Sequence, residues 1–430
     1  MFILITLAAC SDRQDPKVCS VPADADPAAR AVDLAGCPSS PEPVPPQAAR
    51  GAVDILFLID NSPSMTPKQQ ALAQNIPAFI RKIDASFSDY HVAIATSDVG
   101  TSKLPGHNWG GNIGSCDTFA GDDGLLQVTP CSARTAVSAE ARRACQTLCP
   151  DSRFVPVDGR RFIAKRAGVT NVPQALERDP MTGSLVDVGP SKTFKCLALV
   201  GDSGCGAESQ LEGSRRALDG HLDENAGFLR PGSFLAIIYI TDEDDCSVQP
   251  TRRGENDPLT RDCDPTRPDA PDCYNSDFRC LARSLECNET LLTPGVKTGC
   301  RERPANYLEP VEKYYKFFSS LRPPARLLVS GIWTLPSITR GGRVEVSRTS
   351  GVSGSPGLNR AHGAGAACVY AKDASVYGQP QLRLSKFAHL FGHRPDGSLG
   401  YHEGSICDID SYPDALDEIA QAIISSGNPG

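Results

Sequence analysis

No stretch of this chain stays apolar for the ~18 residues that a membrane-spanning helix needs. Basic residues are not in excess either: 43 Lys and Arg stand against 51 Asp and Glu, a formal net charge of -8. Nucleic acid is thereby disfavoured as a partner, because gripping phosphates takes a basic face. Phosphate-binding loops and Gly-x-Ser-x-Gly nucleophile elbows are absent. Around Ser203 the first glycine is present as Gly201, but Cys205 stands where the second is needed. His221 and His362 have no companions that suggest a triad. His389 and His393 have the spacing of a helical zinc site, yet Leu390, Phe391 and Gly392 lie between them, with no glutamate to act as base. Gly392 also reads as a helix stop. No internal repeat is visible.

Cysteine, by contrast, is plentiful: 17 in 430 residues. The spacings do not repeat as C-x2-C pairs; only Cys145 and Cys149 are close, with three residues between them. Zinc ribbons and iron–sulfur clusters therefore fit poorly. A disulfide framework fits better, and with it an oxidising compartment.

Phe2 to Ala9 form a short apolar run that ends at Cys10. Residues 11–50 are rich in Pro, Ala and Asp, with Pro41, Pro43, Pro45 and Pro46, and read as an extended tether. Cys19 and Cys37 have the spacing to close a small loop within it. Order is expected from Val53 onward. Val53 to Ile59 is nearly continuous apolar sequence, the mark of a strand buried on both faces. A helix follows, with Thr66 as N-cap, Pro67 at its first position and Gln69 completing a capping box. Leu72, Ile76, Phe79, Ile80 and Ile83 form its apolar face, and Pro77 is expected to kink it. Further strands are predicted at 91–96, 234–241 and 326–333, and further helices at 211–218, 311–321, 384–391 and 415–424. Leu416, Ile419, Ala420 and Ile423 form the inner face of the last helix. The alternation predicts an α/β fold with a doubly wound, mostly parallel sheet over about 51–426 and right-handed crossovers. Long insertions interrupt it near 101–190, 246–305 and 334–380. Cys116, Cys131, Cys145 and Cys149 lie in the first, and Cys246, Cys263, Cys273, Cys280, Cys287 and Cys300 in the second. Even counts point to pairing within each insertion.

The chemistry concentrates at two strand ends. Asp60-Asn61-Ser62-Pro63-Ser64 follows the first buried strand, and Thr241-Asp242-Glu243-Asp244-Asp245 ends the strand at 234. Aspartate and serine oxygens are hard ligands suited to Mg²⁺ or Ca²⁺. Carboxylates at the carboxyl ends of two strands in one open sheet belong to the crevice where ligands bind. Glu243, Asp244 and Asp245 read as an acidic, mostly solvated turn. Asp408-x-Asp410 lacks the features of a calcium loop and reads as the start of the last helix.

Asp60-x-Ser62-x-Ser64 after a buried strand resembles the metal-ion-dependent adhesion motif (MIDAS) of von Willebrand factor type A (vWA) domains, and Thr241-Asp242 resembles that family's second motif. The resemblance spans about residues 53–426 between the insertions. It implies a Rossmann-like vWA fold and a metal held by Asp60, Ser62 and Ser64, with Asp242 direct or through water. The family's third loop corresponds to Gly201 to Gly206. Cys205 stands there in place of a threonine at the metal position; the alternative is that Cys205 pairs with Cys196 and Ser203 supplies the oxygen. Cys368 with Cys407 is the other pair expected outside the first two insertions. The Cys-rich insertions are similar to those of type A-like proteins of the myxobacterial kind. The resemblance implies a binding protein rather than an enzyme: Mg²⁺, or Ca²⁺ or Mn²⁺, accepts an acidic side chain from a protein partner. The alternatives are a metal-dependent hydrolase, for which Glu243 and Asp244 are the candidate bases, and a structural envelope protein with a degenerate metal site.

Leu7-Ala8-Ala9-Cys10 resembles the lipobox of bacterial lipoproteins, which makes residues 1–10 a signal segment and Cys10 the lipidated residue. The alternative for Cys10 is one more disulfide partner, although setting it aside leaves an even sixteen cysteines. Lipidation implies an outer-membrane protein, periplasmic or surface-exposed; otherwise a secreted one. Several acyl chains at ~0.8 kcal/mol per buried CH₂ hold a soluble domain firmly. Expressed in a Gram-negative host, the chain should fractionate with membranes and Cys10→Ala should be released. Equal solubility of the two would remove the anchor.

Overall fold

Val53–Ile59 (β1) is buried at every position, because both of its faces are covered. Val53, Ile55, Phe57 and Ile59 enter one apolar core, and Leu56 and Leu58 enter another. That is the two-residue period of a strand carried through two cores at once. The computed structural model describes residues 51–100, 121–179, 183–205, 208–249, 280–335, 344–348 and 362–427, except 282–283, 292, 294, 304–307 and 365. Residues 1–50, with Cys10 and the tether, lie outside the described residues, as do Cys116, Cys263 and Cys273.

The central sheet continues with Tyr90–Thr96 (β2), Ile163–Arg166 (β3), Val169–Thr170 (β4), Phe234–Ile240 (β5), Leu327–Trp333 (β6) and Tyr401–Ser405 (β7). Its seven strands run in the order β7-β6-β5-β1-β2-β3-β4. The first five in that order are mutually parallel, while β3 is antiparallel to β2 and β4 to β3. The fold is thus α/β with a mostly parallel, mixed sheet. Thr66–Ser86 (α1), Gly189–Ala198 (α3) and Tyr412–Gly427 (α7) send their apolar faces into the first core. Gln210–Leu218 (α4), Val311–Leu321 (α5) and Leu382–His389 (α6) cover the other face. The expected faces Leu72, Ile76, Phe79, Ile80, Ile83 and Leu416, Ile419, Ala420, Ile423 are all buried. α1 runs through Pro77 as one helix. Among the described residues no helix is long and apolar enough to cross a membrane.

Several expectations need correction. The first insertion is not apart from the sheet: β3 and β4 extend it, and Ala139–Leu148 (α2) packs on α1 and α3. Short amphipathic segments bounded by Pro and Gly hid these elements. α6 begins two residues earlier than expected because the Asp244 carboxylate accepts the amides of Leu382, Arg383 and Leu384. It ends before Gly392, which has φ +46°. Cys131 pairs with Cys145, Cys246 with Cys280, Cys287 with Cys300, and, as expected, Cys368 with Cys407. Cys196, however, pairs with Cys149. Its side chain faces a small core shared with Cys131, Cys145, Phe154 and Ala73, where α1, α2 and α3 meet. Pairing is therefore not confined to the first insertion. Cys205 is disulfide-bonded, but not to Cys196.

At the amino ends of the strands, a buried charge network closes the sheet. Asp54 on β1 accepts from the Arg230 side chain and from the Ser233 hydroxyl. His91 on β2 lies beside it and donates Nδ1–H to the Phe228 carbonyl at 2.8 Å. Burial, reinforced by the Arg230 guanidinium, pushes the imidazole down to about 3. In the unfolded chain the same group titrates near 6.5. Acid therefore protonates the unfolded state first, so the stability present above pH 6.5 is lost as the pH falls toward 3. Between pH 6.5 and 4.5 this one group should cost about 2–3 kcal/mol. Denaturant unfolding across that range should show a shallower loss for His91→Gln than for the native chain; parallel losses would contradict the assignment.

Candidate metal centre

β1 and β5 are neighbours in register, Ile59 opposite Ile240. The residues that follow them emerge side by side, and the Asp60 amide extends the ladder to the Ile240 carbonyl at 3.0 Å. After Asp60 the chain turns. The Ser62 amide donates to Asp60 Oδ1 at 2.8 Å, an aspartate-closed turn. A 3₁₀ turn, Pro63–Met65, leads into α1. The Ser62 and Ser64 hydroxyls are 3.3 Å apart, and Ser64 Oγ donates to Asp242 Oδ1 at 3.1 Å. Thr241 Oγ1 donates to Asp60 Oδ2 at 2.7 Å, and Ser97, just past β2, reaches Asp60 Oδ1 at 3.4 Å. Asp60, Ser62, Ser64 and Asp242 thus form one connected set of hard oxygen donors at the carboxyl edge of the sheet.

Asp60 and Asp242 are both fully buried. Burial, then the negative charge of Asp242, pushes the Asp60 carboxyl up to about 6. A pair of desolvated carboxylates and serine hydroxyls has the chemistry that a hard divalent ion needs. The donor set therefore fits such an ion, even though no group of three or more His, Cys, Asp or Glu assembles among the described residues. A cation of the chain also enters the set. Lys68, wholly buried, pairs with Asp242 Oδ2 and donates to the Ser64 carbonyl at 3.2 Å.

The third loop is tied to the first by side chains expected to cap α1. Thr66 and Gln69 do not form a capping box; the residue before α1 is Met65, and no side chain caps it. Thr66 Oγ1 instead donates to Asp202 Oδ2 at 3.0 Å. Gln69 Nε2 donates to the carbonyls of Asp60 and Gly201 at 2.9 and 2.8 Å. Two loops emerging together leave more unpaired backbone oxygens than one helix start; Gln69 satisfies two of them, and Thr66 holds the Asp202 carboxylate. The Gly204 amide bonds the Asn61 carbonyl at 2.8 Å, and a Cβ on Gly204 would stand 2.1 Å from the Asn61 side chain. Only glycine permits that approach. Ser203 lines an open crevice of about 530 Å³ with Pro63, Thr66, Val137, Ser138 and Asp202. Asp202 fixes that wall by accepting the Ser138 amide at 2.8 Å.

The acidic turn is not solvated. Asp245 is buried, pairs with Arg383 at 2.9 Å and accepts the Leu211 amide at the start of α4. Glu243, also buried, accepts from Gln379 at 3.0 Å. These acids tie the centre to α4 and α6. His389 and His393 go separate ways, His389 toward Glu403 and His393 to the Gly397 carbonyl. Sequence reasoning missed Lys68, Gln69 and Ser97 as parts of the centre, and read Thr241 only as part of a motif, not as the group that holds Asp60. One signal was present for Lys68: it shares the buried stripe of Leu72 and Ile76 at four-residue spacing, where a charge demands a counter-ion.

No protein-family model, curated protein or solved structure matches this chain.

Replacing Gln69 by Leu leaves two buried carbonyls without their donor. A loss of about 2–3 kcal/mol in urea unfolding is expected, and a change within ~0.5 kcal/mol, the scale of a neutral surface substitution, would show that these bonds do not hold the two loops.

Proposed function

We propose that this chain is a metal-dependent protein-binding, adhesion-type module of a cell-envelope lipoprotein, built on a vWA-like fold. The observation that carries this reading is the meeting of Asp60, Ser62, Ser64 and Asp242 beside an open crevice. The sheet order supports it. The chain leaves β1 toward β2 and leaves the adjacent β5 toward β6 on the other side, the situation in which open α/β sheets bind ligands.

In this reading Asp60 and the two serine hydroxyls hold Mg²⁺, or Ca²⁺ or Mn²⁺. The Ser62 amide and Thr241 hydroxyl orient Asp60, and Asp242 lies within reach of Ser64. A bound divalent ion supplies an incompletely neutralised charge that attracts a carboxylate. The partner is a protein offering Asp or Glu, and Ser138, Thr135 and Ser203 on the crevice wall offer it polar contacts. A lipid on Cys10 would hold the module at the membrane.

Hydrolysis is the weaker reading. Asp244 spends its carboxylate on the amides that open α6, and Glu243 is engaged by Gln379, so neither is poised to activate water. A structural envelope protein with a degenerate centre is favoured by one observation, the Lys68–Asp242 pair.

Calorimetric titration with Mg²⁺ and Mn²⁺ separates these. Asp60→Asn keeps an acceptor for the Ser62 amide but removes the charge. It should fold and lose at least about tenfold in affinity, the scale of one charge at a partly desolvated site. No binding by the native chain, or equal binding by both, would overturn the reading.

A further inference from the structure

Lys68 stands one helical turn past Ser64, with no exposed surface. Three groups hold its ammonium: Asp242 Oδ2, the Ser64 carbonyl at 3.2 Å, and the face of Tyr377, whose ring centroid is 5.0 Å away. Asp242 and Ser64 both belong to the candidate metal centre, and the other oxygen of Asp242 takes the Ser64 hydroxyl. Both Asp242 oxygens are therefore engaged before any ion arrives, one of them by a cation that the chain itself supplies.

A buried carboxylate with no counter-charge is strongly destabilising, so something positive must stand beside Asp242. A divalent ion reaching the centre meets a like charge already in place, and it gains Asp242 as a ligand only by displacing the ammonium. We infer that Lys68 is the resident cation of this centre, competing with a divalent ion for Asp242 and setting the centre's metal affinity. This rests on the metal-binding reading above. It has two consequences. The fold does not require a metal, because Lys68 already neutralises Asp242. Removing the ammonium both relieves repulsion and frees a ligand, two effects of the same sign, and makes the metal the only available counter-charge.

The test uses the full chain and Mn²⁺ alone as probe, read by thermal unfolding and calorimetry. Lys68→Met should melt lower than the native chain in chelator, recover its melting temperature in Mn²⁺, and bind Mn²⁺ about tenfold or more tightly than the native chain. Lys68→Met with Asp242→Asn carries no buried charge at either position, so it should melt near the native chain without Mn²⁺ and show no tightening. Lys68→Gln, whose amide still donates to Asp242, serves if Lys68→Met fails to fold even in Mn²⁺; it too should bind more tightly. Tight binding by a Lys68 variant with none by the native chain would uphold the inference and overturn metal dependence of the native protein. Native binding that is not tightened in any folded Lys68 variant would overturn the inference and leave the metal reading standing. Absence of binding in every folded form would overturn both.

Discussion

The parallel pairing of Val53–Ile59 with Phe234–Ile240 determines where each polar group of the centre stands. The two strands are buried throughout and carry no side chain between Val53 and Ile59 that could accept solvent, apart from Asp54 at the foot. Their register brings Ile59 opposite Ile240. A slip of one residue would exchange the two cores of every side chain. The register in turn puts Asp60 beside Thr241 and Asp242. Strand pairing places the members of the centre, and their own hydrogen bonds join them.

The strands themselves were plain in the sequence, because a strand covered on both faces must be apolar throughout, and few other segments are. The helix faces were plain for a similar reason. Leu72, Ile76 and Ile83 repeat at the helical period over enough turns to leave no rival pattern. Edges and insertions were not legible. β3 and β4 hold four and two residues, too few for a period, and their place in the sheet depends on pairing with β2. Cysteine pairing followed chain proximity only where the loop closed on itself. Cys196 lies nine positions from Cys205 but faces the core under α2, so geometry gave it to Cys149. Polar residues were read most poorly. Asp244, Asp245, Thr66 and Gln69 look like exposed or capping residues by type, yet each is committed to a group contributed by a distant segment: a backbone amide or carbonyl for Asp244, Asp245 and Gln69, and the Asp202 carboxylate for Thr66.

Those commitments share a cause. Where five parallel strands end together, many carbonyls and amides converge at one edge of the sheet. Gln69, Gln210 and Gln381 answer this with side-chain amides, which both donate and accept. Gln210 donates to the Thr241 hydroxyl at 2.9 Å, and Gln381 donates to the Thr241 and Glu243 carbonyls at 3.1 and 2.8 Å. The Thr241 hydroxyl in turn donates a hydrogen bond to Asp60 Oδ2. A chain of neutral donors thus leads from Gln210 on α4 through Thr241 to the Asp60 carboxylate, and it restrains that carboxylate without adding charge, while Gln69 and Gln381 hold the surrounding backbone carbonyls. Charge is supplied separately by Lys68, on the Asp242 side.

The asymmetry between the two carboxylates bears on the crevice. Asp60 is surrounded by hydroxyls and amides; burial, and then the negative charge of its neighbour Asp242, raises its affinity for a proton, and that neighbouring charge favours any other cation beside it too. The neighbouring crevice has Pro63, Thr66 and Ser203 on one side and residues 135–138 as its other wall. That wall belongs to the first insertion. It is held by Cys131–Cys145 at one end and, through α2, by Cys149–Cys196 at the other, while Asp202 binds its Ser138 amide to the third loop and its Thr66 contact to α1. A loop stapled at both ends loses little further entropy when a partner settles against it. The disulfides of this insertion therefore do more than make up for a small core: they keep one side of the crevice in a fixed shape beside a centre whose other side is fixed by the sheet.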